Sequence, residues 1–310
     1  MTEYSSEDFI DRDIGPVRIL FGYDNGKYPH GNSFLIRGGE QTAIVDPCLG
    51  VVERKKLGRE YEADLVLQSH VHEDHMSGAY LYKDVPWYAH ELDAPGLTSM
   101  DAMMDIYGLS EPARSQFEKA IVKEFNYVTG DDVRTFEDGS VFDFGGVRME
   151  VMHTPGHTRG HRCFLIEWDG SDDRFVYLGD VELTGFGPYY GDAWSDLEDF
   201  ERTLEKLRNV DARWWLTFHH KGLIEGRETF LEMLDSFAAM IDSRESRLLE
   251  FIDTPRTLDE IVAHRFVFRP GAEGFFVEHA ERRSMQMHLD RLMRDGEVVQ
   301  TGEKFKRADP

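Results

Sequence analysis

An α/β fold is predicted for this 310-residue chain by three observations. Short β-type runs broken by glycine-rich turns alternate with helical spacing, several of those runs end abruptly on His or Asp, and 41% of the residues are apolar. That apolar fraction supports a substantial core and is too high for a disordered chain. The length allows one large domain, or one domain with a smaller appendage.

The elements follow in order. Residues 17–21 (VRILF), 33–37 (SFLIR) and 42–46 (TAIVD) read as strands separated by turns such as RGGEQ. ADLVLQS is a buried-strand pattern that runs directly into His70, and residues 85–90 (VPWYAH) form another short strand. Residues 97–127 change to helical spacing and are rich in Met, which predicts a pair of helices inserted between β segments. Strands resume with SVFDFGG, VRMEVMH, RCFLIEW and RFVYLGD. Residues 196–210 form an amphipathic helix with Leu197, Phe200, Leu204 and Leu207 on one face. The strand RWWLTFHH and a long helix over 226–252 complete this part.

From Pro255 onward the pattern is helix, helix, hairpin. TLDEIVAHRF opens on a capping box formed by Thr257 and Glu260. The next helix stops at Gly296, and EVVQTGEKFKR makes a two-stranded ribbon. This order suggests a winged-helix-like module. Expected boundaries are therefore 1–225 for the main domain, 226–254 for a connecting helix and 255–310 for the tail.

Charge supports that division. The net charge is −24, yet the tail carries ten Lys/Arg and ten Asp/Glu, so the excess lies on residues 1–254. Such a surface repels phosphate backbones and anionic lipids, which disfavours nucleic acid as a partner. No apolar run approaches the roughly 18–20 residues of a membrane span. The start MTEYSSEDFIDRD lacks the regions of a signal peptide, so a cytoplasmic location is expected. The two cysteines, Cys48 and Cys163, predict no disulfide framework, so any metal must be held by His and carboxylate.

The chemistry concentrates at SHVHEDHMSG, residues 69–78. Alternate positions of an extended chain share a direction, so His70 and His72 project together, while Asp74 and His75 point elsewhere. One loop can thus feed two neighbouring metal positions. His157 follows a Pro-Gly turn in HTPGHTRGH and is a candidate third ligand for the first. Asp180 ends the strand VYLGD, where it could bridge two cations, and either His219 or His220 would close the second site.

These motifs, in this order over residues 17–225, resemble the metallo-β-lactamase superfamily. The resemblance implies a four-layer αββα sandwich with a dinuclear site at one edge of its two sheets, followed here by the small winged-helix-like α+β tail. It implies His70, His72 and His157 on one metal, Asp74, His75 and a late histidine on the other, and Asp180 between them. It favours His220 for the late position, with His219 as the alternative. Asp46 matches a supporting Asp common in the family, and Glu73 is expected to face solvent or to add negative field near a helix start. Two divalent ions, zinc first and iron or manganese next, would activate a bridging hydroxide that Asp74 orients. Tyr189 or Tyr190 is a candidate hydrogen-bond donor to the developing oxyanion.

The resemblance points to a glyoxalase II-like or lactonase-like hydrolase acting on a thioester, lactone or related ester of a small molecule. Zinc-type β-lactamases usually carry Cys or Ser where this chain has Asp180. A lactamase-like endoribonuclease and a mono-iron persulfide dioxygenase are the alternative enzymes, and a sensor without turnover is the non-enzyme alternative. A homodimer through the insert or tail is left open.

Overall fold

In the computed structural model, which describes residues 4–274 and 276–308, two sheets pack face to face with helices on both outer sides. The first sheet has seven strands in sequence order. These are β1 (Asp11–Ile14), β2 (Val17–Leu20), β3 (Ser33–Arg37), β4 (Thr42–Val45), β5 (Leu65–Leu67), β6 (Trp87–His90) and β7 (Val133–Phe136). Strands β1 to β4 pair antiparallel, and β4 to β7 pair parallel. The second sheet runs β13, β12, β11, β10, β9, β8. Its strands are β8 (Val141–Asp143), β9 (Val147–His153), β10 (Arg162–Trp168), β11 (Arg174–Tyr177), β12 (Trp214–Leu216) and β13 (Leu223–Glu225).

Period-two alternation builds the layers. Phe34, Ile36, Val45 and Leu67 of the first sheet meet Met149, Phe164, Phe175 and Leu216 of the second in the central core. The neighbouring residues Leu35, Ile44 and Val66 face the opposite way. They are covered by α2 (Leu49–Lys56) and by the inserted helices α3 (Met100–Tyr107) and α4 (Ala113–Glu124). On the other outer face, Cys163, Val176 and Trp215 pack under α5 (Leu197–Arg208) and α6 (Arg227–Phe251). All four residues predicted to share one face of α5 are buried there. Both cysteines are buried and unbonded to each other.

Three strands of the two large sheets escaped the sequence reading, as did the two-residue β14 (Arg256–Thr257) of the tail, where a two-stranded ribbon was expected. Strands β1 and β7 are polar edge strands (DRDI and VRTF), and β13 is only three residues long. None carries enough apolar alternation to stand out from a loop. A tight turn, α1 (Tyr23–Gly26), has Asp24 and Asn25 in left-handed conformation.

The tail holds α7 (Leu258–His264), α8 (Val277–Arg294) and a three-stranded sheet of β14 (Arg256–Thr257), β16 (Lys304–Arg307) and β15 (Val298–Thr301). The capping box is present: Glu260 N donates to Thr257 Oγ1 at 3.2 Å, and Thr257 N donates to Glu260 Oε2 at 2.8 Å. The tail core of Ile261, Phe266, Met285, Leu289 and Phe305 is closed by Leu248 of α6 and by Ile252 just past its end. Helix α8 is tied back to the main body by Arg291 to Glu201 at 2.8 Å and by Arg294 to Glu198 at 2.5 Å. Its His288 meets the Tyr190 hydroxyl at 2.9 Å.

Because Leu248 belongs to both α6 and the tail core, Leu248→Ala is expected to cost about 2–5 kcal/mol. Urea unfolding is the measurement, and the loss should appear as a lower midpoint.

Candidate metal centre

The strand ends of both sheets supply the site. The loop leaving β5 carries His70 to His75, the turn after β9 carries His157, β11 leads to Asp180, and β12 leads to His219. Gly179 allows the last turn before Asp180. It has φ +53, and a Cβ there would lie 2.5 Å from His161 Nε2. His161 in turn accepts the backbone N–H of Asp180 at 3.1 Å, which fixes the strand end. Gly156 plays the same part in the TPGHT turn, where a Cβ would strike the backbone N of Phe200 at 2.4 Å.

Two clusters of buried ligand atoms result. One gathers His70, His72, His157 and Asp180, and the other Asp74, His75 and His219. In the first, His70 Nε2 lies 3.1 Å and His157 Nε2 3.0 Å from His72 Nδ1. Asp180 Oδ2 lies 3.2 Å from His157 Nε2. In the second, Asp74 Oδ2 is 2.9 Å from His219 Nε2. The other oxygen of Asp180, Oδ1, stands 3.0 Å from His75 Nε2 without hydrogen-bond alignment. Asp180 therefore turns one oxygen to each cluster.

The outer partners of the imidazoles decide whether these residues suit metal ions. His157 Nδ1 donates to the Tyr189 carbonyl at 3.1 Å, and His219 Nδ1 to the Gly26 carbonyl at 2.8 Å. His75 Nδ1 donates to Asp46 Oδ2 at 2.8 Å. Ser69 Oγ donates to Asp46 at 2.5 Å and so accepts from His70 Nδ1 at 3.2 Å. Each such bond fixes one ring nitrogen outside and leaves the other facing inward, where it can take a proton or a metal ion. A tetrahedral ion with bonds of about 2.0–2.1 Å would hold its ligand atoms roughly 3.3–3.4 Å apart. The first cluster's separations of 3.0 to 3.2 Å are close to that, so the residues fit divalent metal.

Electrostatics agree. Burial opposes charge on Asp180, but His75 and His157 outweigh it and hold its carboxyl well below the usual carboxylate range. Burial likewise opposes protonation of His75, but Asp180, Asp46 and Asp74 push its pKa well up. His219 is raised to about 10, because Asp74 and Asp180 overcome its burial. Without metal, protons on these imidazoles supply positive charge that the acids demand, and a cation replaces them.

Several expectations change. His219 occupies the second cluster, whereas His220 is exposed in a left-handed turn (φ +61) with its carbonyl held by Asn25, so the preference for His220 is reversed. Glu73 is buried rather than solvent-facing. It accepts from the Tyr107 hydroxyl at 2.5 Å and the Tyr28 hydroxyl at 3.0 Å, and burial with neighbouring Asp74 raises its pKa to about 6. Tyr190 is fully buried and its hydroxyl meets His288, away from the centre. Tyr189 does line the pocket, but its hydroxyl donates to Asp192 Oδ1 at 3.1 Å. Asp192 Oδ2 then stands 3.3 Å from His72 Nε2, which makes Tyr189 a support for a ligand. Asp46 is placed as the resemblance implies. It accepts from Ser69, His75 and Tyr177, the last at 2.7 Å.

The sequence reading passed over Glu182, Asp192, Tyr107 and His161. Glu182 joins Asp180 and His219 in a further candidate ligand group, and burial beside Asp180 and Asp74 raises its pKa to about 7. Its spacing two residues after Asp180 was an available signal. The others lie on loops and helices whose approach to the site depends on packing.

The profile of the metallo-beta-lactamase superfamily matches residues 28–240. The chain belongs to the metallo-β-lactamase superfamily. Within it, acyl-coenzyme A thioesterase MBLAC2 of Bos taurus is 28% identical over 205 residues, 60% of this chain and 69% of that protein. The atrochrysone carboxyl ACP thioesterase of Passalora fulva is 25% identical over 206 residues, 63% of this chain and 49% of that protein. A solved metallo-beta-lactamase family protein from Thermus thermophilus shares the fold with TM-score 0.69 at 22% identity, over 95% of this chain and 99% of that one. Among the described residues no helix is long and apolar enough to cross a membrane.

Metal analysis should separate the adjacent histidines: His219→Ala is expected to lose about one of two metal equivalents, and His220→Ala to keep both. Asp46→Asn should weaken metal binding about 10–100-fold. Metal uptake at pH 7 should release protons from His75 and His219, and affinity should rise with pH toward about 10, the raised pKa of His219. Calorimetry in buffers of different ionisation enthalpy measures the release, and none at all would contradict the protonated state.

Proposed function

We propose that this protein is a dinuclear metal-dependent hydrolase that cleaves a thioester bond of a small molecule. The observation that carries this reading is the division of Asp180, with Oδ2 toward the His70, His72 and His157 cluster and Oδ1 toward His75. Two divalent ions held there, zinc by first choice and iron or manganese next, would supply an activated water and polarise the acyl carbonyl. The chain's own residues do the rest. Asp74, fixed by His219, takes up the water's proton, and Asp46 and Asp192 keep the ligand imidazoles oriented. The water oxygen joins the acyl carbon, the carbon–sulfur bond breaks, and the thiol leaves with a proton.

A thioester is favoured over a lactone because two relatives named above are thioesterases. The endoribonuclease reading is weaker. Glu73, Glu124, Glu182 and Asp192 line the pocket, and acids so placed repel phosphodiesters. A mono-iron dioxygenase needs only the first cluster, whereas a second, buried cluster of three ligand residues stands beside it.

Zinc-loaded protein is expected to release thiol from acyl thioesters, and Asp74→Asn to lower kcat by at least about 100-fold. Cleavage of RNA with no thiol release would overturn the reading. Glu73→Gln should retain both metals, because Glu73 bonds to tyrosines and not to the ligand clusters.

A further inference from the structure

We propose, resting on the thioesterase reading, that the acyl group is an extended hydrocarbon chain lodged between the inserted helices and the tail, and that these walls set its length. The metal centre opens into a cavity of about 740 Å³, a size that encloses most of a drug-sized ligand. His72, Asp74, His157, Asp180 and His219 line one part of it. Leu109, Phe117 and Phe125 from the insert, Phe186 from the loop after Asp180, and Phe268 and Phe276 from the tail form an apolar part of its wall.

Packing alone does not account for this wall. Phe186 and Phe276 remain 37% and 40% exposed on a strongly acidic protein, and Phe268 lies between them at ring distances of 5.7 and 6.1 Å. An exposed aromatic group continuous with a reactive centre is the signature of a surface that awaits an apolar ligand. The charge distribution selects the kind of ligand. Glu73, Glu124, Glu182 and Asp192 outnumber Lys221 and Arg283 along the cavity, which disfavours an anionic acyl group. Arg283 lines the cavity, yet its guanidinium donates to the carbonyls of Tyr107 and Gly108, so it acts as a strut between tail and insert. A hydrocarbon asks nothing of these polar groups and gains from the aromatic wall.

The wall is also held in place. Arg244 donates to the Phe186 and Pro188 carbonyls at 2.6 Å each, and its guanidinium lies 5.5 Å from the centre of the Phe186 ring. His288, flanked by Tyr190 and Glu245, anchors α8 below the cavity. The tail therefore serves as part of the substrate pocket.

The test is kcat/KM of the zinc-loaded full chain on saturated N-acetylcysteamine thioesters, whose carrier is uncharged, with acyl chains of four to sixteen carbons. Each added methylene is expected to raise it about two- to fourfold until the cavity is filled. Ala120 on α4 also lines the cavity, and Ala120→Trp should lower the long-to-short preference about tenfold or more. A flat profile, or one that Ala120→Trp leaves unchanged, overturns the hydrocarbon assignment while the thioesterase reading stands. No hydrolysis at any length overturns the thioesterase reading instead. In that case calorimetry with the uncharged dodecan-1-ol and butan-1-ol decides the pocket: dodecan-1-ol binding at least about tenfold tighter supports it, and equal affinities overturn it.

Discussion

The constraint on which this structure depends is the concentration of five imidazoles and two carboxylates in a buried space with their lone pairs turned inward. Such a group is costly to assemble unless protons or cations sit between its members. Much of the surrounding structure serves to keep the arrangement from relaxing. Asp46, Ser69 and the carbonyls of Gly26 and Tyr189 hold the outer ring nitrogens, so the imidazoles stay aimed at the centre. His161 and Gly179 fix the peptide that aims Asp180. The result is a carboxylate that serves two clusters at once.

The sandwich suits that task because both sheets bring strand ends to one edge. The central core between the sheets is apolar and rigid, so strands that end there deliver side chains with little freedom. The edge itself holds the polar groups. The inserted helices and the tail then rise around the centre and turn an exposed edge into a pocket. Arg283 joins these two walls, which explains why a tail that looks separate in charge and pattern is integrated in space.

Much of the fold was legible because burial on both faces of a strand demands a continuous apolar run, and burial on one face of a helix imposes a period on the sequence. SFLIR and TAIV are buried almost throughout and so read as short apolar runs, while the stripe of α5 follows the helical period. The weakly patterned edge strands β1 and β7 were not legible, because solvent on one side removes the constraint that would mark them. The distinction between a separate tail and an integrated one was also beyond reach, since Leu248 looks the same in either case.

For the site, local spacing was enough wherever geometry is local. The crowding of His70, His72, Asp74 and His75 in one loop, and the strand-end positions of His157 and Asp180, announce a metal centre with two parts. Tertiary structure alone decided what depends on the partner across space. The choice between His219 and His220 rests on a carbonyl of α1 that lies 193 residues earlier in the chain, where Gly26 receives His219. Glu73 is held inside by Tyr28 and Tyr107, and Tyr190 is drawn away by His288, each through a bond between segments distant in sequence. A sequence states which groups are available and how neighbours along the chain are aimed. Which of two adjacent side chains turns inward is set by the packing and hydrogen bonds that only the folded chain brings together.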